Sequence, residues 1–126
     1  MIIEKQTDTA PLTWTWLLLG IVLMAVLTWF NGRPEAAGLL HMHWDKVAHS
    51  LIFGGITLSF GLSARGRRRG WILLLMIAFA AFDELRQRYL PGRSASIADF
   101  TTDALAIITV LWVVLPWLLH EQRRQK

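Results

Sequence analysis

The 126-residue sequence contains no cysteine, which excludes disulfide scaffolds, thiolate metal sites and cysteine nucleophiles. Charge is scarce too. Asp, Glu, Lys and Arg make up 17% of the chain, against 54% hydrophobic residues and a mean hydropathy of +0.41. A soluble domain this small exposes much of what it folds and needs more charged surface than that. A disordered chain has the opposite composition. The sequence also lacks a metalloprotease helix motif, a serine elbow, and the aromatic-interleaved basic stripe used for RNA. No small-residue cleavage site follows the first apolar stretch, so a retained anchor is expected rather than a removed signal peptide. What is abundant is tryptophan, seven residues of a type that favours membrane–water interfaces. The expectation is a small integral membrane protein, one domain over 1–126.

Crossing a bilayer takes about 20 apolar residues. Four stretches qualify, at about 12–30, 47–64, 71–90 and 97–119, with Pro116 near the end of the last. The predicted fold is all-α, four transmembrane helices in a compact up-down bundle. The net charge of +4 is gathered beside these spans, not spread over a face. With four crossings, Lys5, Arg65, Arg67, Arg68, Arg69, Arg123, Arg124 and Lys126 share one side. Arg33, Lys46, Arg86, Arg88 and Arg93 share the other. The excess places both termini in the cytoplasm.

Most of the candidate functional residues then fall at the outer end. His49 lies four residues after Asp45, on the same face one turn deeper. The third helix has 12 apolar residues before Asp83, about 18 Å, so it spans only by continuing through Asp83, Glu84 and Gln87. Asp99 and Asp103 stand one turn apart on the fourth helix. Each has a plain structural reading. Asp45 can cap the second helix, Ser96 with Asp99 fits a capping box, and Glu84 with Arg88 fits an i,i+4 ion pair. His49 can be a satisfied core histidine. Asp103 is too deep to cap, and ionisable groups at membrane depth are expensive and usually functional. Pro91 and Gly92 suit a helical hairpin, with Arg93 beside the next helix N-terminus, where anions bind readily. Ser50, Gly54, Thr57 and Gly61 form a small-residue seam for close helix packing.

Three segments together resemble the VanZ-like family of small bacterial membrane proteins, named for a teicoplanin-resistance protein. Asp45-Lys46-Val47-Ala48-His49 opens the second helix, and Asp83-Glu84-Leu85-Arg86-Gln87 ends the third. Leu90-Pro91-Gly92-Arg93-Ser94-Ala95-Ser96, then Asp99 and Asp103, complete the pattern. The resemblance implies an inner-membrane bacterial protein associated with glycopeptide resistance in its founding member, without an assigned reaction. Asp45, His49, Glu84, Gln87, Arg93, Asp99 and Asp103 match the motif and are its implied ligand-binding positions. Ser50 stands where an aromatic is common in the family, and Ala106 and Val110 replace glycines.

Three functions compete. The first is an outward polar site where Arg93, with Lys46 or Arg86, grips the anion of a lipid phosphate or cell-wall precursor and shelters it from a glycopeptide. It needs no cofactor and no nucleic acid. The second is a hydrolase in which His49, Asp83, Glu84, Asp99 and Asp103 hold Mg²⁺ or Mn²⁺. The third is an ion-coupled carrier, which four helices would build only as a homodimer. A structural subunit of a larger envelope complex is a fourth. The first is the expectation, binding and not catalysis.

Overall fold

The computed structural model describes residues 12–36 and 42–126. Among them are four helical rods and no strand. Helix α1 spans Leu12–Asn31, followed by a short 3₁₀ turn at Pro34–Ala36; α2 spans Met42–Ser63 and α3 Arg69–Gln87. The fourth rod, Ile97–Arg124, is 28 residues long. It consists of α4 (Ile97–Thr109), a π-helical turn at Val110–Val114 and α5 (Leu115–Arg124). Pro116 accounts for the turn, because its ring cannot donate to the ladder and collides with the carbonyl four residues back. Widening to an i→i+5 bond, Leu115 N–H to the Val110 carbonyl, relieves the collision without breaking the rod.

The rods alternate in direction. Asn31 meets Asp83 and Lys46 meets Asp99 at one end, while Gly66 meets Leu119 at the other. Helix α2 is the central element, packed on all the others, and supplies the buried Phe53, Ile56, Thr57, Ser59 and Phe60. Met76, Ile107, Leu111 and Leu115 close the core against it.

Two rods, Thr13–Asn31 and Ile97–Arg124, are long and apolar enough to cross a membrane. Only 11% and 22% of their spanning windows are buried, unlike the core helix of a soluble protein. Helices α2 and α3 fall short of that test because their polar residues dilute them. The large exposed apolar side chains nevertheless continue onto α2 (Val47, Leu51) and α3 (Leu74, Phe82). Exposed Trp14, Trp71 and Trp117 sit at one end of the bundle, and exposed Trp29 and Trp44 at the other, as belt anchors should.

The connections show why the rods end where they do. Helix α2 closes in a Schellman motif: Gly66 N–H bonds the Gly61 carbonyl and Arg65 N–H that of Leu62, with Arg65 left-handed at φ 52°. Between α3 and α4, Arg93 N–H bonds the Leu90 carbonyl across Pro91 and Gly92. Gly92 has φ 75°, the value that position demands in a type II turn. One boundary differs from the sequence expectation. Helix α2 begins at Met42, not near residue 47, so Asp45 lies within its first turn and does not cap it. There its carboxylate still faces the positive end of the helix dipole.

The small-residue seam closes as expected at Gly54, Thr57 and Gly61, all buried. A Cβ at Gly54 would lie 3.4 Å from Val110 Cγ2, and one at Gly61 only 2.7 Å from Leu115 Cδ2. Val110 thus supplies the knob for the seam. Gly61→Ala should destabilise the protein by ~1–3 kcal/mol, because fully buried Leu115 has nowhere to move. Thermal unfolding in detergent checks this, with Gly55→Ala, which meets nothing within 4 Å, as the control that should be neutral or slightly stabilising.

Candidate functional site

The end of the bundle formed by the last turns of α1 and α3 and the first turns of α2 and α4 gathers four of the six buried polar side chains among the described residues, Asn31, Asp83, Gln87 and Asp103. Its anchor is Asp83, 2% exposed. One carboxylate oxygen accepts from Asn31 Nδ2 at 2.8 Å and from Gln87 Nε2 at 2.9 Å. The other accepts from Arg86 Nη2 at 3.1 Å. Arg86 also donates to the Thr28 carbonyl at 2.7 Å, capping the negative end of α1. Asp83 therefore ties α1 to α3 through Asn31, which sequence reasoning did not single out, and through Arg86, which it offered as a grip for the ligand anion and not as a partner of Asp83.

The remaining contacts run from α3 to the hairpin and from α2 to α4. Gln87 accepts from Arg93 Nη1 at 3.4 Å, while Arg93 Nε is buried without a partner. Ser96 is the N-cap of α4, its hydroxyl accepting from Asp99 N–H at 3.4 Å. That is half of the expected capping box. The other half is supplied from a different helix, for Ser96 N–H donates to Glu84 Oε1. Glu84 consequently pairs with Ser96 and not with Arg88, which is exposed. Relieved of capping, the Asp99 carboxylate turns to α2. Lys46 Nζ lies 3.3 Å from its Oδ1, an ion pair outside hydrogen-bond alignment.

Deeper in the bundle, His49 Nδ1 stands 3.8 Å from Asp103 Oδ2, within ion-pair range but too long for a hydrogen bond. Asp103 is 3% exposed and its Oδ1 has no partner. His49 is thus the cationic side chain beside Asp103, and Arg93 is held by Gln87. Asp45, Lys46, His49, Glu84, Gln87, Asp99, Thr102 and Asp103 line one cavity of about 10 Å³. That is space for about one water and no more. The cavity holds four carboxylates against one lysine and one histidine, so it is acidic.

Six of the seven motif positions thus converge on one cavity, and Arg93 stands outside it, joined through Gln87. Lys46 and Arg86 are both committed to carboxylates of the protein itself. Among the described residues no three His, Asp or Glu groups converge as a metal would require, so His49, Glu84, Asp99 and Asp103 do not form the alternative cation site in this arrangement.

The contact distances rank the buried acids. Asp83→Asn replaces an acceptor of three donors by an amide and should cost ~2–4 kcal/mol in thermal stability. Asp103→Asn breaks no hydrogen bond and should cost clearly less. Equal losses would mean that His49 and Asp103 are as tightly coupled as the Asp83 cluster.

Comparison with curated proteins and with solved structures finds no match. The sequence does match a family profile, VanZ/LLP1, over residues 8–120. That span includes all four rods up to His120 and every residue of the polar end described above, and the chain belongs to the VanZ/LLP1 family.

Proposed function

We propose that this VanZ-like protein crosses the bacterial inner membrane four times, with both termini cytoplasmic. At its outward polar end it binds the anionic head of an envelope molecule, a lipid phosphate or a cell-wall precursor. Four spans are supported by the lengths of α2 and α3, 22 and 19 residues, or about 33 and 28 Å of helix. Both lengths match a hydrocarbon core of about 30 Å. Orientation rests on the arginines of the α2–α3 loop and the C-terminal tail. Lys5, which counts to the same side, lies outside the described residues.

The observation that carries the binding reading is Arg93. Its Nε–H is buried without an acceptor, and its one bond, to Gln87 at 3.4 Å, is long. It precedes the N-cap of α4, Ser96, by three residues, and so lies beside a helix N-terminus, where anions bind readily. The neighbouring cavity is too small and too acidic for a phosphate. The ligand head therefore sits at the hairpin rim, over Arg93, and the carboxylates below hold the rim in shape. The site binds and does not catalyse. A precursor held in this way would be shielded from a glycopeptide, which links the site to teicoplanin resistance.

Arg93→Ala should abolish thermal stabilisation by a polyprenyl monophosphate while leaving the unliganded protein folded. Arg93→Lys should recover little, because an ammonium offers a point charge and no fork. Full recovery by lysine would reduce the interaction to general charge attraction. In cells, expression of the wild type should raise the inhibitory concentration of teicoplanin and expression of Arg93→Ala should not.

Topology has its own test. Reporter fusions after Arg69 and after Lys126 should report cytoplasm, and fusions in the 32–40 loop, of which 37–40 lie outside the described residues, should report the exterior. Opposite signals would move the whole polar end to the cytoplasmic face.

A further inference from the structure

A groove of about 660 Å³ runs between α1 and α3, away from the acidic cavity. Its floor is apolar, with Ile21, Met24, Ala25 and Phe79 along it. At the polar end of the bundle it terminates in two guanidinium groups, Arg33 and Arg86. Arg33 stacks on Trp29, its Cζ 3.8 Å from the ring centroid, and among the described residues no carboxylate lies within ion-pair reach of it. The ring fixes the position of the cation without neutralising it. Arg86 spends Nη2 on the Thr28 carbonyl and Asp83. Its Nη1 lies beside Gly32, where an added Cβ would stand 3.4 Å away. The missing side chain at Gly32 leaves the approach to that nitrogen open.

We infer that this groove binds one membrane lipid with an anionic phosphate head, its chain along α1 and α3 and its phosphate between Arg33 and Arg86. The argument is charge complementarity at a defined depth. An apolar trough on a membrane-crossing helix accepts a hydrocarbon chain of any lipid, and only the pair of guanidiniums at its mouth selects the head. A neutral head would leave the Arg33 charge uncompensated at the edge of the hydrocarbon, and a zwitterionic head, although it has the same phosphate, would bring its own cation beside the two guanidiniums. The site is separate from the Arg93 rim and does not rest on it.

Native mass spectrometry of the full chain in detergent tests this, with phosphatidylglycerol, phosphatidylcholine and inorganic phosphate as probes. The wild type should retain one phosphatidylglycerol over phosphatidylcholine by about tenfold, the worth of one charge-assisted contact. Inorganic phosphate should not displace it. Arg33→Gln should bring the two lipids to equal retention. Ala25→Trp, at an exposed position on the groove floor, should remove both lipids while leaving the melting temperature near that of the wild type. Equal retention by the wild type, or unchanged selectivity in Arg33→Gln, overturns the proposal. So does a wild-type dimer that Ala25→Trp dissociates, since the groove would then be covered by a second copy. Arg93→Ala should leave the lipid selectivity intact; if it removes the selectivity and Arg33→Gln does not, the groove proposal fails and the rim reading stands.

Discussion

A carboxylate taken out of water loses several kcal/mol of hydration and can be kept ionised only if hydrogen-bond donors replace that water. Asp83 meets this constraint with Asn31, Gln87 and Arg86, one donor from the end of α1 and two from its own helix. The three bonds do more than compensate a charge. They fix the distance between α1 and α3, which otherwise touch little. They also set the rotamer of Gln87, whose carbonyl oxygen then faces outward to receive Arg93. Through Arg86 they seal the α1 carbonyl end and leave one guanidinium nitrogen at the mouth of the lipid-sized groove. The rim and the groove are both arranged by the same buried anion.

A second dependence runs through Glu84. In a local capping box the acid three residues into the helix returns to cap the N-cap amide. Here that amide is taken by Glu84 from the preceding helix, so the hairpin is closed by a bond between helices and not within one. The exchange stitches α3 to α4 and frees Asp99 to pair with Lys46 on α2. Three helices are joined by a substitution of partners, although the local sequence contains every piece of the ordinary motif.

This explains what the sequence could and could not reveal. The helices, the hairpin, the seam and the convergence of acids at one end follow from spacing and topology, which are local or nearly so. The depth of Asp103 follows from its count along α4. Partner identity does not. Nothing local distinguishes Asp99 capping its own helix from Asp99 reaching Lys46, or Glu84 on Arg88 from Glu84 on Ser96. Asn31 was harder still, because it ends an apolar stretch, and Arg86, offered as a grip for the ligand anion, gave no sign that its partner would be Asp83. The available signal was chemical: a buried Asp83 needs donors, and a side-chain amide ending α1 at the same depth is a fitting one. The early start of α2 escaped because its first turn mixes Trp44, Asp45 and Lys46 and so carries no apolar period.

The two charge types at the polar end are sorted, and the sorting bears on function. Acids line the inside of the bundle, where Asp45, Glu84, Asp99 and Asp103 share one small cavity with a lysine and a histidine. Guanidiniums occupy the outside, with Arg33 and Arg86 at the groove and Arg93 at the hairpin. An isolated ring of arginines would repel itself and splay the helix ends, because like charges at this depth are poorly screened. A core of acids beneath them supplies an attractive field that keeps the arginines close while leaving their outer nitrogens unspent. The cavity then needs no ligand of its own: its acids supply the counter-charge for the arginines around it, and the proposed docking of an anionic head relies on those arginines keeping their outer nitrogens free.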